Sequence, residues 1–218
     1  MINDSHVYMD CKQIKLEQPL FYNNTFGLRF EIGPAELDIW IDFDKGILNK
    51  EYFNIAFARA ISIFESVVAP NDDISIAYQI FSDGRNKIRK GNFILKQISD
   101  IKNRNVRFTK HREIYPEDLY SKCMCLRRVT VTNLKVKDVF SRNILLALIN
   151  TDFSSLRQPS VHGECYFINH TKGLVLLPYD DRGMDVVALK KEALQNLYKS
   201  HNEWILARNR EQIDRVFS

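Results

Sequence analysis

No stretch of the 218-residue chain approaches the ~20 consecutive apolar residues that a membrane-spanning helix needs. The first residues, MINDSHVYMD, carry early acid and no apolar central segment. A secretory signal is therefore not expected, no membrane contact is implied, and the expected setting is cytoplasmic. Cysteine is scarce: Cys11, Cys123, Cys125 and Cys165 show no framework spacing, which suits a reducing compartment. Cys123-Met124-Cys125 is tighter than the usual zinc-knuckle spacing, and no second Cys/His pair lies near it, so these read as ordinary thiols beside a strand.

Signatures of catalysis are also missing. The five histidines are His6, His111, His162, His170 and His201; none sits in a His-Glu-x-x-His pattern or pairs with another at i,i+4. There is no Gly-x-Ser-x-Gly elbow, no Walker A loop and no Gly-x-Gly-x-x-Gly fingerprint. Cys165 follows His162 at i,i+3 on a strand start, poor geometry for a thiol–imidazole pair. Surface or hydrogen-bonded structural roles are the expectation for all five. Internal repeats and low-complexity tracts are absent too.

What the chain does have is a hydrophobic share of 45%, enough for a substantial core, and an uneven charge. The net charge is +4, yet Glu31 to Asp73 holds nine acidic and three basic residues, while Arg85 to Arg142 holds sixteen basic and five acidic. Such separation suits an electrostatic partner surface or a basic patch that meets nucleic acid. The elements run on without an obvious linker, so a single domain over 1–218 is favoured.

Residues 1–20 lack periodicity and read as an extended or partly mobile lead-in. Phe26, Leu28, Phe30 and Ile32 alternate with Gly27, Arg29 and Glu31, a half-buried strand. Leu37, Ile39, Ile41 and Phe43 alternate again beyond Gly33-Pro34, so the two are expected to form a hairpin with Asp38, Asp42 and Asp44 on and beyond its wet side. Asn49 to Ala69 predicts a helix: Phe53, Phe57, Ala60, Ile61, Phe64 and Val68 make its apolar stripe, Asn49 its N-cap, and Pro70 its end. Asp73 to Phe81 and Leu126 to Leu134 read as strands. Between them lies a basic span, 85–112, with Phe108 interleaved and Tyr115 just beyond it, in which Lys87–Lys90 and Phe93–Ile98 are expected to form a helix interrupted at Gly91. Asp138 to Ile149 reads as a helix, as do Lys190 to Lys199 and Trp204 to Phe217.

Glu164–Asn169, Leu174–Tyr179 and Met184–Leu189 are three apolar runs split by two turn signals, a three-strand meander. Pro178 places its strand at an edge or at its end. The second turn, within YDDRGMDV (Tyr179 to Val186), concentrates the chemistry of the chain: Asp180, Asp181, Arg182 and Asp185. Aspartates can bond the backbone two residues on, and Gly183 can take positive φ. One reading makes this turn structural, with Arg182 pairing an acid. A second makes Asp180, Asp181, Arg182 and Asp185 a water-facing partner surface. A third brings the three carboxylates together on a metal for hydrolysis or nuclease chemistry, against which strand alternation argues.

Three segments, YDDRGMDV, LYKSHNEWIL (Leu197 to Leu206) and RNREQID (Arg208 to Asp214), resemble an uncharacterised bacterial domain-of-unknown-function family. Its pattern is an acidic Arg-Gly turn, a helix ending near a Tyr, then a Trp and an Asp-Arg-Glu stretch. FGLRFEIG at Phe26 to Gly33 is a weaker match to the same group. Asn209 stands where the family has an aspartate, so chemistry resting on that carboxylate would not transfer. The resemblance implies a fold and a bacterial source and carries no known activity.

The expected fold is α+β: a largely antiparallel sheet of six or seven strands with helices mainly on one side. The expected function is a non-enzymatic protein-binding module, concretely an immunity protein that neutralises a toxin, with no cofactor, no catalytic residue and no metal assigned. The alternatives are the metal-assisted hydrolase or nuclease at Asp180/Asp181/Asp185, and a nucleic-acid binder through 85–112.

Overall fold

The computed structural model describes residues 11–111 and 125–218. His6, Arg112, Tyr115, Cys123 and the first half of the expected lead-in lie outside the described residues. Alternation at 26–32 produces strand β1 (Phe26–Glu31), with Leu28 and Phe30 buried. The segment expected to pair with it does not. Trp40–Asp42 (β2) and Ile47–Leu48 (β3) form their own small antiparallel ladder. The reason is that both edges of β1 are taken. One pairs with a C-terminal strand, and on the other the Leu206 amide donates to the Arg29 carbonyl at 2.9 Å beside a Phe30–Ile205 bridge.

Helix α1 (Lys50–Val67) starts where expected, the Asn49 side chain accepting from the Glu51 amide at 3.1 Å. Its stripe of Phe53, Ala56, Ala60, Ile63 and Phe64 is fully or almost fully buried. Truncating Phe53 alone would cost about 3–5 kcal/mol. Then come β4 (Asp73–Ser82), a short α2 (Phe93–Lys96), β5 (Asn105–His111), β6 (Cys125–Lys135), α3 (Ser141–Ile149), β7 (Glu164–Asn169), β8 (Leu174–Pro178), β9 (Gly183–Ala188), α4 (Glu192–Ser200) and α5 (Arg210–Phe217). The Lys87–Lys90 part of the basic span is not helical, and its later part is strand β5.

Seven strands make one sheet in the order β1-β9-β8-β7-β4-β6-β5, every pair antiparallel. The protein is an α+β fold. The meander of β7, β8 and β9 lies inside the sheet, so Pro178 marks a strand end and not an edge. The larger core joins one face of the sheet, including Leu28, Phe30, Val131, Phe167, Leu176 and Val186, to the helices. A second cluster lies on the other face, where Tyr166, Val175, Leu177 and Val187 meet Cys11, Ile14 and Leu20. Residues 11–21 are therefore not a loose lead-in: Leu20 and Phe21 are buried against the sheet. Burial on both faces explains the nearly continuous apolar runs of the meander strands.

Candidate binding site at the Asp-Asp-Arg-Gly turn

The turn between β8 and β9 closes with the Tyr179 amide donating to the Gly183 carbonyl at 3.0 Å. Asp180 builds it as expected, its Oδ1 accepting from the Arg182 amide at 2.8 Å and its Oδ2 from the Arg182 guanidinium. That pairing raises the Arg182 pKa above its usual value, and Arg182 also reaches Asp152 at 3.6 Å. Gly183 departs from expectation: it does not take positive φ. It opens β9, and a Cβ there would stand 2.9 Å from the Phe30 carbonyl of β1, so glycine is required by close strand approach.

The acids of this turn do not face water as a surface. Asp181 is 1% exposed and Asp185 0%, while Asp180 is nearly buried and Arg182 alone is exposed. Asp185 stands on β9 and Asp181 in the turn before it, so the bend sets the direction of Asp181. Asp181 turns to the helical side, where the Tyr52 hydroxyl of α1 donates to it at 3.0 Å. Burial pushes the Asp181 pKa up, against that hydrogen bond, and burial with the same carboxylate pushes the Tyr52 hydroxyl up. Tyr52 reaches Asp181 across Gly33, where a Cβ would collide with its hydroxyl. Asp185 turns to the other face. It accepts from the Phe21 amide at 2.9 Å and lies 3.6 Å from Arg29 Nε, its register partner on β1. Burial raises its pKa to about 6, opposed by the Tyr179 hydroxyl, the Phe21 amide and Arg29.

The sheet thus separates Asp181 from Asp185, and Asp180 is engaged by Arg182. The three carboxylates do not converge on one point, and among the described residues no group of three or more His, Cys, Asp or Glu is placed to hold a metal ion. The exposed partner surface expected of Asp180, Asp181, Arg182 and Asp185 is corrected accordingly: only Arg182 offers its side chain to solvent.

Arg182 closes one end of a groove of about 500 Å³ that no sequence motif announces. Its walls come from the segment before α1: Leu37, Ile39, Trp40 and Phe43, with Tyr52 and Glu31. Edge-to-face ring contacts run from Phe43 to Trp40, Phe153, Phe53 and Tyr52, tying the hairpin to the start of α1. Beyond the groove the hairpin exposes Ile41 (69%), Phe43 (74%) and Ile47 (46%). Glu36, Asp38 and Asp44 are exposed around them, and Asp42 pairs with Lys45 at 2.7 Å. A signal exists in the sequence, since Ile41 and Phe43 sit among four acids, but their alternation mimics the inner face of a sheet strand.

A smaller groove of about 220 Å³ adjoins on the other side of Glu31 and Arg182, lined by Arg29, Tyr179 and Leu206 among others. The Arg29 guanidinium lies 5.3 Å from the Tyr22 ring and 5.4 Å from the Tyr179 ring. Asn209, 4% exposed, donates to the Tyr22 hydroxyl at 2.8 Å. Three of the segments that carried the resemblance, around Arg29, Tyr179 and Asn209, therefore meet at one place.

Cys165, His162 and His201 are engaged inside the fold or by its backbone. Cys165 is fully buried and its thiol pKa is pushed far up by desolvation, while the exposed His162 contributes its carbonyl to the Tyr78 hydroxyl. His201 is buried, with Ser62 Oγ 2.9 Å from Nε2 and Ser200 Oγ 2.7 Å from Nδ1; burial lowers its pKa. Neither Ser62 nor His201 lines either groove described above. No helix among the described residues is long and apolar enough to cross a membrane.

No solved structure matches the chain. It is similar to an uncharacterized protein of Bacillus subtilis (strain 168), YnaE, at 24% identity over 166 residues, covering 72% of this chain and 76% of the relative. The model of a family described as a domain of unknown function, DUF3885, matches residues 6–209. That span includes the Asp-Asp-Arg-Gly turn, Arg29 and Asn209, and the chain belongs to the DUF3885 family.

Proposed function

We propose that the protein is a non-enzymatic protein-binding module whose docking surface is the 34–48 hairpin and the groove it closes against Arg182. The observation that carries this reading is the exposure of Ile41, Phe43 and Ile47 together on one short hairpin with acidic neighbours. Exposed large apolar side chains gathered in one patch mark an interaction site more often than a solvated surface. Aromatic anchors inside a charged rim are the usual anatomy of a binding hot spot. Glu36, Asp38 and Asp44 give that rim a negative sign, so a basic partner is favoured and steered. The concrete version is an immunity protein that masks a basic toxin in a bacterial cytoplasm.

The metal-assisted hydrolase reading is weakened because Asp181 in the turn is held by Tyr52 of α1 while Asp185 on β9 is held by the Phe21 amide. In the protein-binding reading the turn is a buried fastening: Asp181 holds α1 through Tyr52, Asp185 holds the 11–21 segment through Phe21, and Arg182 alone meets the partner. The test is affinity capture from cells of the native organism with the wild-type chain and with an Ile41→Asp, Phe43→Asp double variant. Retention of a basic protein by the wild type, lost with the variant, is expected. Identical protein sets on both would overturn the reading.

A further inference from the structure

Among the described residues, the far edge of the sheet carries cations without counter-ions. β5 and β6 pair in the register Asn105↔Thr132, Arg107↔Thr130 and Thr109↔Arg128. Val129 and Val131 of β6 belong to the helix-side core, so alternation sends these six side chains to the opposite face. Together with His111 they line a groove of about 390 Å³. Arg107 and Arg128 sit diagonally across the ribbon, about 7–8 Å apart by strand geometry, and each faces a threonine.

Among the described residues neither guanidinium makes an ion pair, and Arg107 has no hydrogen-bond partner there. Arg128 is nonetheless held in place. Its Nε donates to Gln79 Oε1 at 2.7 Å and its Nη2 to the Leu16 carbonyl at 3.3 Å. Gln79 in turn donates to Glu164 at 2.5 Å. Glu164, Gln79, Arg128 and Thr109 form one row across four strands, in register throughout. A guanidinium braced from behind is positioned for a ligand before the ligand arrives.

The remaining groups suit an oxyanion. Thr109 Oγ1 lies 3.0 Å from His111 Nε2, and the hydroxyls of Thr109 and Thr130 flank the two arginines. Burial and the Arg128 charge push the His111 pKa down, so it offers a hydrogen bond without adding charge. Among the described residues no carboxylate lines the groove. Two forked guanidiniums with adjacent hydroxyls match a tetrahedral oxyanion bearing more than one negative charge.

We propose that the β5–β6 ribbon binds a phosphate group. The phosphate can come from a nucleotide or from the backbone of a nucleic-acid single strand. A second groove of about 280 Å³ shares Thr109 and Arg128 with the first and adds Lys87, Lys110, Arg127 and the half-exposed Phe108. By the same alternation Phe108, Lys110 and Arg127 belong to the other face of the ribbon, so this second groove lies around the sheet edge from the first. This site lies on the edge of the sheet remote from β1 and stands independently of the hairpin reading.

The experiment is calorimetric titration of the full chain at low salt with inorganic phosphate, ATP and an oligothymidylate of about 15 nucleotides. Binding of one of these probes is expected. Arg107→Ala, which removes no described contact, is expected to weaken it about tenfold or more with an unchanged melting curve. Thr130→Val serves as a second, milder variant. ATP binding as tightly as the oligonucleotide identifies a nucleotide-type ligand; oligonucleotide binding alone, falling steeply with salt, identifies the strand. No heat with any probe at about millimolar concentration, or affinity unchanged in Arg107→Ala, overturns the proposal.

Discussion

Replacing Asp185 by asparagine isolates the cost of a buried charge at the centre of the fastening. In the folded chain the carboxyl titrates at about 6, raised from 3.8 chiefly by burial. Between those two values the folded state holds more protons than the unfolded state, so stability falls as pH rises through that window. A shift of this size corresponds to about 3 kcal/mol at about 1.4 kcal/mol per unit. The amide of the Asp185→Asn variant cannot ionise, and its side-chain oxygen can still accept from the Phe21 amide. From about pH 4 to about pH 8 the variant should therefore gain about 2–3 kcal/mol relative to wild type. For a chain of this length that is a relative rise in Tm of roughly 4–12 °C. Asp181, raised in the same direction, is common to both proteins and cancels. Urea unfolding of both chains across the pH range is the assay. Stability profiles that run parallel from acid to neutral pH would refute the claim that burial of Asp185 outweighs its partners Phe21 and Arg29.

Tyr52→Phe removes the hydroxyl that satisfies buried Asp181 and should cost about 1–3 kcal/mol in urea unfolding; no loss would mean that Asp181 is otherwise satisfied. Gly33→Ala drives a methyl into the same hydroxyl and should cost about 1–3 kcal/mol, with a smaller cost in the Tyr52→Phe background. Additive losses in that double-mutant cycle would separate Gly33 from the Tyr52–Asp181 contact. Ile41→Ser should change stability by no more than about 0.5 kcal/mol, and Phe43→Ser, which loses the Trp40 ring contact, by no more than about 1.5 kcal/mol, both lowering the tendency to bind apolar dyes. A large loss of stability would show that these side chains are core.

The strands and helices with strong local signals were legible. α1 with its Asn49 cap, the β7–β9 meander and the long β4 and β6 all follow from periodicity and turn chemistry that do not depend on distant partners. The pairing of β1 was not legible, because β9 and Leu206, over 150 residues away, compete for the edges that Leu37–Phe43 would have used. β5 was hidden because only Val106 and Phe108 alternate with its polar residues before Lys110 and His111, too short a pattern among exposed cations to mark a strand. At the turn, the Asx bond of Asp180 and its pairing with Arg182 were readable from spacing alone. The burial of Asp181 and Asp185 was not, since it depends on Tyr52 and Phe21, side chain and amide brought in by other elements. A three-carboxylate sequence motif looks exposed because its members are charged; here each has an internal partner.

The central claim is that the hairpin is the surface another protein covers, and a photo-crosslinking residue placed at Phe43 tests it where it stands. In native cells, light should join that position to one basic protein, while the same residue at the exposed Glu211, on α5, should not capture that protein. Absence of any protein adduct at position 43, or the same adducts at both positions, would contradict it.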